Sequence, residues 1–141
     1  MSLALAEGRQ ALPACLPNPP VGCVLVREGR VVSRGHTQAP GQHHAEAMAL
    51  AQLPARSQQG LTAYVTLEPC SFHGRTPSCA QALVSQGIER VFIAMLDPDP
   101  RNAGAGARIL VDAGIEVVIG VSADEAERDL REYLVCIATD A

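Results

Sequence analysis

The sequence predicts an α/β domain in which helices cover both faces of a mixed sheet. Strand-like and helical apolar patterns alternate along the 141 residues without a linker or repeat. Two β-rich runs meeting at Glu28-Gly29, a hairpin signal, precede a series of strand–helix units. A helical stretch also separates the last two strands, which suits a parallel crossover, right-handed in about 98% of cases.

Residues 2–9 read as a helix, and LPACLPNPP as a proline-rich connection. Val21 to Arg27 and Arg30 to Gly35 are the two hairpin strands. His43 to Leu53 reads as a helix stopped by Pro54, and Thr62 to Leu67 as a buried strand ending at the Glu68-Pro69-Cys70 corner. Pro77 opens the next helix from its first turn, and Gly87 closes it. A strand over Arg90 to Leu96 precedes a helix from Ala103 to Ala113, ended by Gly114. A strand over Ile115 to Val121 follows. Ser122 and Asp124 are the caps available to a last helix running through roughly Ile137. Strand ends that feed helix N-termini gather on one edge of such a sheet, where ligands bind.

The chain is long enough for one domain with a sizeable core, and 48% apolar residues is a globular composition. No apolar run approaches the ~20 residues of a membrane span. The start, MSLALAEGRQ, lacks the basic and long apolar regions of a secretory signal. Cys15, Cys23 and Cys136 read as reduced thiols of a cytoplasmic protein, with Cys23 in the core. A net charge of −4, scattered basic residues and few aromatics argue against polynucleotide binding and for a small soluble substrate.

The chemistry lies in HHAEAMAL and LEPCSFHGRTPSC. A histidine–any–glutamate pair followed by proline-cysteine and a second cysteine is the signature of hydrolytic zinc deaminases. His44, Cys70 and Cys79 supply three nitrogen and thiolate ligands. A catalytic zinc site keeps its fourth position for water, whose pKa falls to ~7 in some hydrolases. Glu46 is then a free carboxylate able to carry protons. Residues i and i+2 do not share a helix face, so the local turn must bring Glu46 to the site. A closed structural site would need a fourth protein ligand, such as His43 or His73. Taken singly, His36 and His43 read as loop residues.

These motifs resemble the cytidine-deaminase superfamily, and within it the deaminase half of the bifunctional riboflavin-biosynthesis deaminase/reductase. The resemblance is carried by PNPPVGCVLVREG, GHTQAPGQHHAEAMAL, TAYVTLEPCSFHGRTPSC and ALVSQGIERVFIAMLDPDPRNAGAG. The long insert between Cys70 and Cys79 separates this group from cytidine and tRNA-adenosine deaminases. It implies a three-layer α/β/α sandwich around a five-stranded sheet, and zinc held by His44, Cys70 and Cys79, with Glu46 as proton shuttle. The implied substrate is 2,5-diamino-6-ribosylamino-4(3H)-pyrimidinone 5′-phosphate. Another small aminopyrimidine, aminopurine or nucleoside is the alternative.

The resemblance further places Asn18, Arg75 and Asp97 at the substrate. It also exposes departures. Phe72 stands where the family has a histidine, Thr37 aligns with another, Asp99 replaces an asparagine, and Ala105 an often basic or polar residue. Each touches the substrate side rather than the zinc side. Asn18 as a turn residue, Arg75 as a solvated arginine, and Phe72 as core or pocket lining all stay open. The chain resembles the deaminase half alone, so 1–141 is expected to form a single deaminase domain without a reductase. A separate reductase and a homo-oligomer are compatible with this reading.

Overall fold

The first hairpin strand is buried from Gly22 to Leu25, as suits an interior strand, while the second alternates in burial along the sheet edge. The computed structural model describes residues 1–54, 60–72 and 77–134; His73, Arg75 and Cys136 lie outside them. β1 (Gly22–Arg27) and β2 (Arg30–His36) pair antiparallel, from Gly22 opposite His36 to Arg27 opposite Arg30. Glu28 and Gly29, at φ 51° and 76°, form the left-handed two-residue turn that suits a twisted hairpin. β3 (Leu61–Val65) pairs antiparallel with β1, while β4 (Arg90–Ile93) and β5 (Glu116–Ile119) add in parallel. The order is β2-β1-β3-β4-β5. Across the β3–β4 ladder, the Tyr64 and Phe92 rings stack 4.8 Å apart.

Among the described residues, five α-helices cover this mixed sheet. α2 (Ala45–Ala51), α3 (Cys79–Gln86) and α4 (Ala105–Asp112) bury Ala45, Ala49, Ala80, Leu83 and Leu110 against Leu25, Ala63, Val65, Val91 and Ile93. α1 (Ser2–Arg9) and α5 (Ala123–Leu130) form a second cluster through Leu5, Ala126 and Leu130. Cys23 is fully buried in the first cluster. The architecture is the three-layer α/β/α sandwich with a five-stranded sheet. Among the described residues, no helix is long and apolar enough to cross a membrane.

Local boundaries differ from the sequence expectation for identifiable reasons. α3 starts at Cys79, because Ser78 takes the N-cap and its Oγ accepts the Gln81 N–H at 3.2 Å; Pro77 stays outside. Gly87 does end α3, in the left-handed conformation at φ 83°. Ser122 precedes α5 but makes no side-chain cap bond. Its φ of 58° is left-handed, not the extended geometry from which a cap hydroxyl reaches the first amides. α5 ends at Leu130, a 3-10 turn covers Arg131–Tyr133, and the rest of the expected helix lies outside the described residues.

Candidate active site

α2 begins one residue after His44, and this resolves the spacing problem. His44 is the N-cap, extended at φ −73° and ψ 169°, so it does not follow the helical period that would turn it away from Glu46. Cys79 is the first residue of α3. Cys70 arrives from β3 through the Glu68-Pro69 corner, and the corner is tied to α3 by the Ala80 N–H donating to the Cys70 carbonyl at 3.1 Å.

Three elements thus bring one nitrogen and two sulfurs together, all within 4.8 Å of one another. His44 Nδ1 lies 3.3 Å from Cys79 Sγ and 3.8 Å from Cys70 Sγ. Tetrahedral zinc with ordinary Zn–N and Zn–S bonds would set nitrogen and sulfur ligands about 3.6 Å apart. The donor set fits the metal in chemistry and in spacing. Two thiolates with a neutral imidazole also balance a divalent cation.

The surroundings favour thiolate. The Cys79 backbone N–H, at the α3 N-terminus, donates to Cys70 Sγ at 3.3 Å. Hydrogen bonding from the Cys79 thiol, with help from His44 and that amide, pulls the Cys70 thiol down to about 4 despite burial. Cys79 shifts up in turn, because its thiol proton is held in the hydrogen bond to the Cys70 thiolate and because it is buried. The Cys70 interaction raises His44 above its ordinary value.

Glu46 is 4% exposed in the first turn of α2. Burial pushes its carboxyl up to about 7, opposed by a hydrogen bond from its own backbone N–H. It lines a cavity of about 300 Å³ together with His44, Cys70, Asn18, Thr37, Phe72 and Asp97. The structure therefore brings together every described residue that the sequence placed at the site. Arg75 lies outside the described residues. Phe72 is 43% exposed and also borders a second, larger opening beside His43 and His44, so it lines the pocket and is not core.

Thr37 sits at this pocket, but its hydroxyl is engaged within the fold. It donates to the Pro19 carbonyl at 2.9 Å and accepts from the Val21 N–H at 3.0 Å. Its single proton fixes the Asn-Pro-Pro loop, which places Asn18 at the cavity. His36 is not a loop residue: it ends β2, with Nδ1 2.6 Å from Glu7 Oε2 of α1.

Sequence reasoning missed the support beneath the site. Glu68, 3% exposed, accepts from the Asp97 and Gly104 N–H groups through Oε1 and from Ala107 N–H through Oε2. Asn102 Oδ1 accepts the Gly106 N–H, and its amide donates to the Pro69 carbonyl at 3.3 Å. Together they satisfy the first turn of α4 and pin the 68–70 corner to it. Gly106 allows this approach, since any Cβ there would fall on the Pro69 carbonyl oxygen. The available signal was an acidic residue beside the cysteine at a strand end.

A buried carboxyl beside a His-Cys-Cys cluster, on the edge of a three-layer sandwich, defines a deaminase of the cytidine-deaminase type. The chain belongs to this family: residues 1–95 match the cytidine and deoxycytidylate deaminase zinc-binding region. Among its relatives, the riboflavin biosynthesis protein RibD of Escherichia coli is 50% identical over 118 residues, 84% of this chain and 32% of that protein. The diaminohydroxyphosphoribosylamino-pyrimidine deaminase of Buchnera aphidicola subsp. Schizaphis graminum is 42% identical over 112 residues, 79% of this chain and 76% of that protein. The Acinetobacter baumannii RibD structure superposes with a TM-score of 0.88 at 44% identity, covering 94% of this chain and 37% of the other. The chain spans about a third of the length of the RibD relatives.

Proposed function

We propose that this chain is a zinc-dependent deaminase of the diaminopyrimidinone ribosylamine 5′-phosphate of riboflavin biosynthesis. The observation that carries the reading is the Glu46 carboxyl, buried yet lining the same cavity as His44 and Cys70. His44, Cys70 and Cys79 would hold the zinc, which when bound acts as a Lewis acid toward water. Glu46 accepts a proton from the water that attacks the amine-bearing ring carbon. It returns the proton to the departing nitrogen, the C–N bond breaks, and ammonia leaves while the water oxygen stays on the ring. Asn18, whose side-chain amide has no partner among the described residues, is free to bind the heterocycle edge, and Phe72 offers a ring face for stacking.

The two relatives named as riboflavin biosynthesis protein and as diaminohydroxyphosphoribosylamino-pyrimidine deaminase support this substrate. One observation favours the alternative, a different small aminopyrimidine, aminopurine or nucleoside. Phe72 lines the pocket with a side chain that donates no hydrogen bond. Turnover of the zinc-loaded protein on the ribosylamine phosphate, its dephosphorylated form and cytidine decides between them. Preference for the first is expected; turnover of cytidine alone would overturn the proposal.

A further inference from the structure

The segment after β4 folds into the pocket rim and is held rigidly. Its Asp97 and Gly104 amides are fixed on Glu68, and the Asp99 N–H donates to Asp97 Oδ1 at 3.0 Å. The side chain of Asp99 is only 10% exposed. It accepts the Arg101 backbone N–H at 2.9 Å, and its two oxygens grip the Arg101 guanidinium through Nε at 3.0 Å and Nη2 at 2.6 Å. The guanidinium also lies over the Phe72 ring, with Cζ 5.2 Å from the ring centroid, a cation–π contact. One edge is thus fixed by a carboxylate, and the cation sits over an aromatic ring. Nη1 has no partner among the described residues.

Arg101 is the sole lysine or arginine among the described residues lining the 300 Å³ cavity, whose carboxyl-bearing residues are Glu46, Glu68 and Asp97. A cavity of this size is at the small end of ligand pockets, so the charged tail of a sugar phosphate reaches its rim. The arginine side chain is 72% exposed, and a solvent-exposed ion pair contributes little to stability. Fold stability does not account for so ordered an arrangement. A pre-positioned guanidinium, by contrast, loses little entropy when it meets an anion and offers planar donors to phosphate oxygens.

We infer that Arg101 is a specificity-determining residue that receives the phosphate monoester of the substrate through its free Nη1 edge, with Asp99 and Phe72 holding it in place. The inference rests on the deaminase reading above and deepens it. It also accounts for Asp99, whose carboxylate serves as the anchor of the arginine two residues on.

The test is steady-state kinetics on the ribosylamine 5′-phosphate and its dephosphorylated counterpart, with zinc-loaded wild type, R101Q, R101K and D99N. Arg101→Gln is expected to raise KM for the phosphorylated substrate about 10- to 100-fold, the scale of a charge-assisted hydrogen bond, with kcat changed far less. The phosphorylated-to-dephosphorylated ratio of kcat/KM should fall in step. Arg101→Lys should recover only part of the ratio, because a single ammonium cannot pair with Asp99 through two nitrogens and still present a third to the ligand. Asp99→Asn should cost a smaller share of it by loosening the anchor. A wild-type ratio in R101Q, or a ratio lost in Arg75→Gln and kept in R101Q, overturns this inference alone. Wild type that turns over neither compound overturns the deaminase substrate as well.

Discussion

Replacing Glu68 by alanine strips the acceptor from three backbone N–H groups at once: Asp97 at 3.1 Å, Gly104 at 3.0 Å and Ala107 at 2.9 Å. Each buried donor left unpaired costs about 1–3 kcal/mol. Two effects work in the other direction. The variant no longer desolvates a carboxylate, and water can enter the space vacated and serve some of the amides. Gly104 caps α4 without a side chain, so nothing else on that helix replaces the lost acceptor for Ala107. The net loss is therefore about 3 kcal/mol, at the low end for breaking a buried charge interaction. Glu68→Gln keeps one acceptor oxygen but turns an amide donor toward an amide donor, and should lose roughly half as much. With urea m-values of about 1–3 kcal/mol/M, Glu68→Ala should lower the unfolding midpoint by roughly 1–3 M. Zinc affinity should fall as well, since the 68–70 corner carries Cys70. A Glu68→Ala midpoint within about 0.3 M of wild type, unchanged m-value included, would refute the claim that this carboxylate organises the corner.

The purified protein should hold about one zinc per chain, and Cys70→Ser or Cys79→Ser should lose metal and stability together, because binding energy at such sites is folding energy; full occupancy in both variants by elemental analysis would sink the ligand assignment. Glu46→Gln should keep its zinc and its unfolding midpoint while ammonia release drops about 10²- to 10⁴-fold. Near-normal release would mean that another group moves the protons. Gly106→Ala should destabilise by about 1–3 kcal/mol, since its methyl group must displace the Pro69 carbonyl. An unfolding curve matching wild type would show that the α4 contact yields without strain.

The clustering of His44, Cys70 and Cys79 was legible in the sequence because their chemistry is tied to local order. A histidine opening a helix and a cysteine near the start of another carry signals in adjacent residues, such as the Gly87 stop. The antiparallel first pair and the parallel last pair followed from the hairpin turn and the helix between the last two strands. What stayed hidden depends on contacts between residues far apart in the chain. Glu68 reaches amides 29 to 39 positions away, and no local pattern announces that it caps α4. Thr37 entered as a substrate-side residue because it aligns with a family histidine; it does lie at the pocket, and only the structure shows that its proton goes to Pro19. Asp99 looked like a bare departure until its partner two residues on came into view. The reach of Glu46 was likewise undecidable from spacing, because it turned on the extended backbone of His44.

Hydrolysis itself is the central claim, and the fate of the water oxygen tests it most directly. The zinc-loaded protein would be incubated with the diaminopyrimidinone ribosylamine 5′-phosphate in heavy-oxygen water, and the product examined by mass spectrometry while ammonia is counted. The account predicts one heavy oxygen on the pyrimidine ring for each ammonia released, with both signals falling together in Glu46→Gln. Ammonia without ring label, or no turnover of this substrate by zinc-loaded protein, would contradict it.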